Sequence, residues 1–184
     1  MLTTKFSENL LKKLPFIQYL TVNNLEICVK IPINKLLSSL IFFKNHTHTQ
    51  YKLLSEICVI DFPTRSNRFD IIYTLLSLQF NSRIKIRITC HELQTIPSAT
   101  SIFPCANWWE REIWDMFGIF YSNHPDLRRI LSDYGFEGHP LRKDFPLSGF
   151  SEVRYCELKK RVIYEPVTMP QEFRSFDFEN PWFK

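Results

Sequence analysis

The sequence predicts an α+β fold: a two-layer domain with a mixed, largely antiparallel sheet and helices on it, followed by an extended C-terminal tail. Three observations carry that expectation. Alternating apolar side chains mark strands in the first hundred residues, helical spacing of apolar residues interrupts them, and glycine is confined to one later stretch. The chain has 184 residues, 45% apolar and 23% charged, which suits one domain with a core of its own.

Ser7 precedes Leu10, Leu11 and Leu14 at helical spacing and Pro15 stops them, so a short helix is expected there. Leu25, Ile27, Val29 and Ile31 then share one face and Glu26, Cys28 and Lys30 the other, a strand ended by Pro32. Asn34 is the expected cap of a helix carrying Leu36, Leu37, Leu40, Ile41 and Phe43, closed by the polar run 45–50. The apolar run 57–62 reads as a strand ended by Pro63. Residues 69–78 and 83–90 read as an antiparallel hairpin, joined by a tight polar turn at Asn81 and Ser82. Ile84, Ile86, Ile88 and Cys90 line one face of its second strand. Arg83, Lys85 and Arg87 make the other face cationic, so it meets solvent or an acidic partner.

Residues 91–106 read as a connector. Asn107 is the expected cap of a helix over 107–117, with Gly118 just past its end. On it, Trp108, Ile113, Met116 and Phe117 are expected to pack inward, Glu112 and Asp115 to share a face, and Arg111 and Asp115 to pair at i, i+4. All four glycines, Gly118, Gly135, Gly138 and Gly149, lie within 118–149, which implies a compact loop with backbone shapes that other residues adopt poorly. Residues 150–184 show neither helical nor strand period. Their aromatic content is too high for free solvation, so Tyr164, Phe173, Phe176 and Trp182 are expected to anchor the tail on another protein. The chain thus divides into 1–106, an α+β domain, 107–149, a helix and glycine-containing loop, and 150–184, an extended partner-wrapping tail.

Several function classes are disfavoured. No run approaches the roughly 18 apolar residues of a membrane-spanning helix, so membrane association is expected to go through partners. The net charge is +4, with twelve Lys or Arg against six Asp or Glu in residues 1–100 but no basic block, so nucleic-acid binding is not expected. Cys28, Cys58, Cys90, Cys105 and Cys156 contain no C-x-x-C and read as buried small hydrophobes in a reducing compartment. Neither G-x-G-x-x-G nor G-x-x-x-x-G-K occurs, so Arg128, Arg129, Arg142 and Lys143 read as salt-bridge partners rather than a nucleotide cradle. The start of the sequence lacks Arg and an apolar h-region, which matches neither a secretory signal nor a transit peptide. Abundant Phe beside only Ala99 and Ala106 fits AT-rich codons of the kind common in organelle genomes.

Within 107–149, Glu110, Arg111 and Glu112 are followed by Asp115, then Met116 and Phe117. After six intervening positions comes His124, then Arg128, Arg129 and Ile130, and the run 138–147 reads Gly-His-Pro-Leu-Arg-Lys-Asp-Phe-Pro-Leu. This segment resembles the signature of the 30 kDa subunit family of respiratory complex I, whose mitochondrial branch is of the subunit 9 type and whose bacterial branch is the C subunit. The resemblance implies a non-catalytic core subunit of the peripheral arm, supporting electron transfer from NADH to ubiquinone coupled to proton translocation. It implies contacts chiefly with the large quinone-site subunit and the small subunit carrying the terminal iron–sulfur cluster. The FMN, iron–sulfur clusters and ubiquinone of that complex are implied to belong to other subunits, and this chain to hold no cofactor. The implied location is the matrix side of the mitochondrial inner membrane, with the gene in the organelle. Trp109, Glu110, Arg111, Glu112, Asp115, Gly118, His124, Asp126, Arg128, Arg129, Asp133, Gly138, Arg142, Lys143 and Asp144 are the residues implied to organise a rigid surface there. The rival readings are a metal-dependent hydrolase using His124, Asp126, His139 and Asp144, and an adaptor outside respiration that uses the aromatic tail.

Overall fold

A computed structural model describes residues 10, 13–22, 26–169, 171–178 and 182. They form two compact units, Met1–Phe145 and Pro146–Lys184. In the first, five strands make one mixed sheet in the order β1-β2-β5-β4-β3. These are β1 (Tyr19–Val22), β2 (Glu26–Lys30), β3 (Leu53–Asp61), β4 (Phe69–Ser77) and β5 (Ser82–Cys90). Only the β2–β5 pair is parallel. The expected α+β class with a mixed, largely antiparallel sheet is what the chain adopts.

One face of the sheet is the core. Ile27, Val29, Ile57, Ile71, Tyr73, Leu75, Ile84, Ile86 and Ile88 are all buried, with register partners on the same side as the pleat requires. Leu36, Leu40 and Phe43 of α1 (Leu36–Asn45) join the same cluster. The cap expected at Asn34 is not used. Residues Ile33–Lys35 instead form a 3₁₀ turn that runs into the helix, so Asn34 sits inside a turn and Lys35 flanks α1 without a side-chain cap bond. Residues 78–81 make a four-residue hairpin loop, longer than the expected turn, with Asn81 at φ +44°. Of the helix expected over 7–14, most positions lie outside the described residues; Leu14 N–H bonds to Leu10 O at 2.9 Å.

The connector hides a strand. Ile96 and Pro97 (β6) pair in parallel with Tyr121 and Ser122 (β7), too short a ladder to leave a period in the sequence. Between them runs α2 (Ala106–Phe117), packed against β3 at the sheet edge, where it covers a strand that would otherwise offer open hydrogen bonds.

In the second unit, β8 (Ser151–Cys156) and β9 (Arg161–Pro166) form an antiparallel hairpin turning at Lys160, φ +48°. This corrects the expectation that the tail has no strand period. Val153, Tyr155, Val162 and Tyr164 do alternate, but charged residues within and between the strands blur the pattern. Cysteine burial also differs from expectation: Cys90 and Cys156 are buried, Cys28 is half-buried, and Cys58 and Cys105 are exposed.

Ile86 is fully enclosed at the centre of the core face. Ile86→Ala is expected to cost about 2–5 kcal/mol of stability, read as a lowered urea midpoint with unchanged slope.

Candidate functional site

The signature segment is a scaffold built on charges that the chain itself satisfies. Helix α2 turns Glu110, Arg111 and Asp115 inward with Ile113, while Trp108 is 67% exposed. This inverts part of the expected amphipathicity: Trp108 faces out, and Met116 and Phe117 are half-buried, Phe117 packing against the core. The cap differs too, since Cys105 precedes the helix and Asn107 lies in its first turn. Gly118 takes the left-handed conformation expected of it, φ +73°, and a Cβ there would fall 2.5 Å from His139 Nε2.

Asp115 organises the loop that follows. Its Oδ2 accepts the backbone N–H groups of Ile130, Leu131 and Ser132 at 3.2, 2.8 and 2.9 Å, and Oδ1 accepts Arg129 Nη1–H at 3.1 Å and the Ser132 hydroxyl. Burial alone raises its pKa, but the Ser132 hydroxyl and the three amides outweigh burial, and the carboxyl is held below its usual range. The pair expected between Arg111 and Asp115 does not form. Arg111 instead donates its Nε–H to Arg128 O at 3.2 Å and lies over the Trp108 ring, while Arg129 takes the place at the carboxylate. Glu112, three residues before Asp115 on the same helix, is half-buried.

Glu110 is enclosed at the other end of the helix. Ser98 Oγ–H donates to its Oε2 at 2.6 Å and Ala99 N–H to its Oε1 at 2.7 Å. Burial pushes its carboxyl up from 4.5 to about 7, against the pull of those two hydrogen bonds. The His124 side chain is also fully enclosed. Its Nδ1 accepts Asp126 N–H at 3.1 Å, which leaves Nε2 facing Asn107 O at 3.3 Å and Glu110 Oε2 at 3.8 Å. The Tyr73 and Tyr121 rings are buried nearby, and burial followed by charge coupling that includes Glu110 raises both phenols.

A second anchor ties the loop to the sheet. Arg68 donates Nε–H and Nη2–H to Asp61 at 2.7 and 2.9 Å, and Nη1–H and Nη2–H to Asp144 at 3.1 and 2.8 Å. These bonds hold both carboxyls below their usual range. Lys143 N–H also donates to Asp61 at 2.8 Å, and Arg142 bridges Phe117 O at 2.7 Å and Glu92. Gly138, φ +95°, lets Phe145 lie against the backbone. Asp126 pairs with Arg128 on the surface, Asp133 accepts Tyr134 N–H, and Trp109 packs on the core. Of the tail residues, Tyr164, Phe173, Phe176 and Trp182 are all exposed.

Sequence reasoning missed Asp61, Arg68, Glu92, Ser98 and Ser132. Asp61 carried a signal: it is the one charge in the apolar strand 57–62. The four residues of the hydrolase reading are taken by separate partners: His124 faces Asn107 and Glu110, Asp126 binds Arg128, His139 Nδ1 meets Asp115 O at 2.9 Å, and Asp144 binds Arg68. No group of three or more His, Cys, Asp or Glu that could hold a metal ion occurs among the described residues.

These features define a class: a small α+β scaffold that engages its charges internally and turns several large apolar side chains outward. Residues 29–151 match the family described as respiratory-chain NADH dehydrogenase, 30 Kd subunit, and the chain belongs to that family. It is 49% identical over 179 residues to NADH-ubiquinone oxidoreductase subunit 9 of Reclinomonas americana, covering 97% of this chain and 88% of that one. It is 59% identical over 143 residues to NADH dehydrogenase [ubiquinone] iron-sulfur protein 3 of Solanum tuberosum, covering 78% and 75%. The five cysteines of this chain lie free on β2, β3, β5, ahead of α2 and on β8. A chain of the membrane-bound sulfane sulfur reductase, an archaeal respiratory membrane complex, shares the fold with TM-score 0.68 at 21% identity, over 78% of this chain and 85% of that one.

Asp115→Ala is expected to cost about 3 kcal/mol, because it strips an acceptor from several donors at once. Hydrogen exchange at amides 130–132 is expected to accelerate while the sheet amides keep most of their protection. For Glu110, the folded chain keeps a proton that the unfolded chain has released between about pH 4.5 and 7, so its contribution to stability falls as pH rises through that window. Glu110→Gln is expected to remove that fall, making the variant gain on the native chain from the acid to the alkaline side of the window in urea unfolding.

Proposed function

We propose that the chain is a non-catalytic structural subunit of the peripheral arm of NADH:ubiquinone oxidoreductase, complex I. In this reading it binds the large quinone-site subunit and the small subunit that carries the terminal iron–sulfur cluster, and so supports electron transfer from NADH to ubiquinone coupled to proton translocation. It works on the matrix side of the mitochondrial inner membrane and is encoded in the organelle. FMN, the clusters and ubiquinone are held by other subunits.

The observation that carries the reading is the division of labour in the signature segment. Glu110, Asp115, Asp144 and their arginine, serine and amide partners are occupied in fixing the backbone. Trp108, Phe120, Leu131, Tyr134 and Leu141 are left exposed on it, side chains of the type that anchor interfaces. The second unit supports it independently. On the β8–β9 hairpin, Val153, Tyr155, Val162 and Tyr164 share one exposed face, while Arg154 and Glu165 pair at 2.8 Å on the other. A two-stranded sheet of this size is marginal alone in water, so an apolar face of that kind is stabilised by a partner.

The test is native purification through a small tag on this chain, with mass spectrometry and NADH oxidation measured on the eluate. Recovery of flavin and iron–sulfur subunits with quinone-linked turnover is expected. Recovery of the chain alone, or with metal-dependent hydrolysis, overturns the reading. Arg128→Ala alters an exposed side chain and is expected to shift stability by less than about 0.5 kcal/mol, while Trp108→Ala also removes the ring under Arg111 and is expected to cost about 1 kcal/mol. Both are expected to lower the amount of assembled complex on native gels while the turnover per assembled complex stays normal. Normal assembly with lost turnover would point to a catalytic part instead.

A further inference from the structure

The face of the five-stranded sheet opposite the core carries an organisation of its own. Three rows of side chains cross it. Tyr19, Lys30, Arg87, Ile72 and Cys58 lie in one row, Thr21, Cys28, Lys85, Thr74 and Glu56 in the next, and Thr89, Asp70 and Ile60 on the other side of the first. Tyr19 is 62% exposed and Ile60 40%, Cys58 is exposed, and Lys30, Arg87 and Ile72 are half-buried. The face is therefore apolar toward β3 and cationic across β2 and β5.

At one end of these rows the β3–β4 loop folds back to form a cleft of about 330 Å³, lined by Lys30, Arg65, Ser66, Asn67, Asp70, Arg87 and Thr89. Its floor is Asp70, 1% exposed, whose Oδ2 contacts Arg87 Nη2 and lies 3.5 Å from Arg65 Nη1. Asp70 Oδ1 and Arg87 Nε are buried with no hydrogen-bond partner among the described residues. One carboxylate thus fixes two guanidinium groups, and Lys30, directly opposite Arg87 in the register, has no ion pair among the described residues. Like charges opposed across strands cost stability unless something offsets them. Three cations around one acid leave an excess of two positive charges in a cleft whose walls also offer hydroxyl and amide donors.

We propose that this cleft and the adjoining apolar patch toward β3 are a docking surface for an acidic amphipathic segment of a neighbouring subunit, its carboxylates seated against Lys30, Arg65 and Arg87 and its apolar side against Ile60, Ile72 and Cys58. This rests on the reading that the chain works inside an assembly. Charge complementarity selects the occupant. A second copy of this chain is a poor fit, because many of its own acids are engaged: Asp61 and Asp144 with Arg68, Asp115 with Arg129, Asp126 with Arg128, Glu92 with Arg142, and Glu165 with Arg154. Carboxylate recognition by paired guanidinium groups is bidentate and directional, and it sets register and partner choice more than raw affinity.

The experiment uses the native assembly purified through this chain and treated with a zero-length carbodiimide, which joins a lysine amine to a carboxylate only where the two touch. Lys30 is expected to be found in an isopeptide with Asp or Glu of a different subunit. In Lys30→Glu/Arg65→Glu, retention of that neighbour at physiological salt is expected to fall at least tenfold, with the isolated variant's urea midpoint close to native. Lys30→Arg/Arg65→Lys is expected to retain it. A Lys30 isopeptide within this chain or to a second copy overturns the proposal, as does a Lys30 that is unlinked and acetylated equally fast in the assembly and in the isolated chain. Mass spectrometry of the same eluate separates these results from failure of the underlying reading: respiratory subunits present with Lys30 free removes the docking surface alone, and their absence removes both.

Discussion

A buried carboxylate that collects backbone amides is the constraint on which the signature segment depends. The loop after β7 has little regular secondary structure to satisfy its N–H groups, and an unpaired amide near the core is costly. Asp115 answers that need from the last turn of α2. It gathers three successive amides, a hydroxyl and a guanidinium, and so ties the helix to residues fourteen to seventeen positions further along. With Asp115 placed, Arg129 is drawn to it, His139 can reach the helix carbonyl, and Gly118 must reverse the chain tightly beneath His139. The Arg68 fork then fastens the far end of the loop to the sheet through Asp61 and Asp144.

Buried charge is used here for shape. Ion pairs in low dielectric gain little net stability over apolar packing, since desolvation offsets much of the attraction. They do penalise misplacement strongly, because a partner removed leaves a charge enclosed and unanswered. A surface that must hold fixed geometry against other proteins is served by that penalty. Glu110 shows the same economy by another route: sealed beside Ser98, Ala99 and His124, it is held with a raised pKa, so enclosure rather than an opposing cation sets its state.

Much of the fold was legible because burial follows period. β2 and β5 announced themselves by alternation against a single core face, part of β3 by an apolar run ended by a proline, and the β4–β5 hairpin by the polar turn between its strands. Short or compensated elements were not legible: β6 and β7 are two residues each, and the β8–β9 hairpin mixes charges into its apolar rows. The helix caps at Asn34 and Asn107 misled because capping residues signal a start only where the chain has not already begun to coil. At Asn34 a 3₁₀ turn had begun, and at Asn107 the helix had started one residue earlier.

What the sequence by itself determined is the class of fold, the glycines at left-handed turns and the motif that places the chain in its family. Local sterics, hydrophobic period and residue order act over a few neighbours, and they can be read from the chain directly. What only the tertiary structure decided is which charged residues are inside and with whom. Helical spacing pairs Arg111 with Asp115 and turns Trp108 inward, yet the folded chain buries Glu110, Arg111 and Asp115 and leaves Trp108 in the open. The reason is that Ser98, the Arg128 carbonyl, Arg129 and the amides of 130–132 come from other parts of the chain, and a charge can be enclosed only once such distant partners have been brought around it.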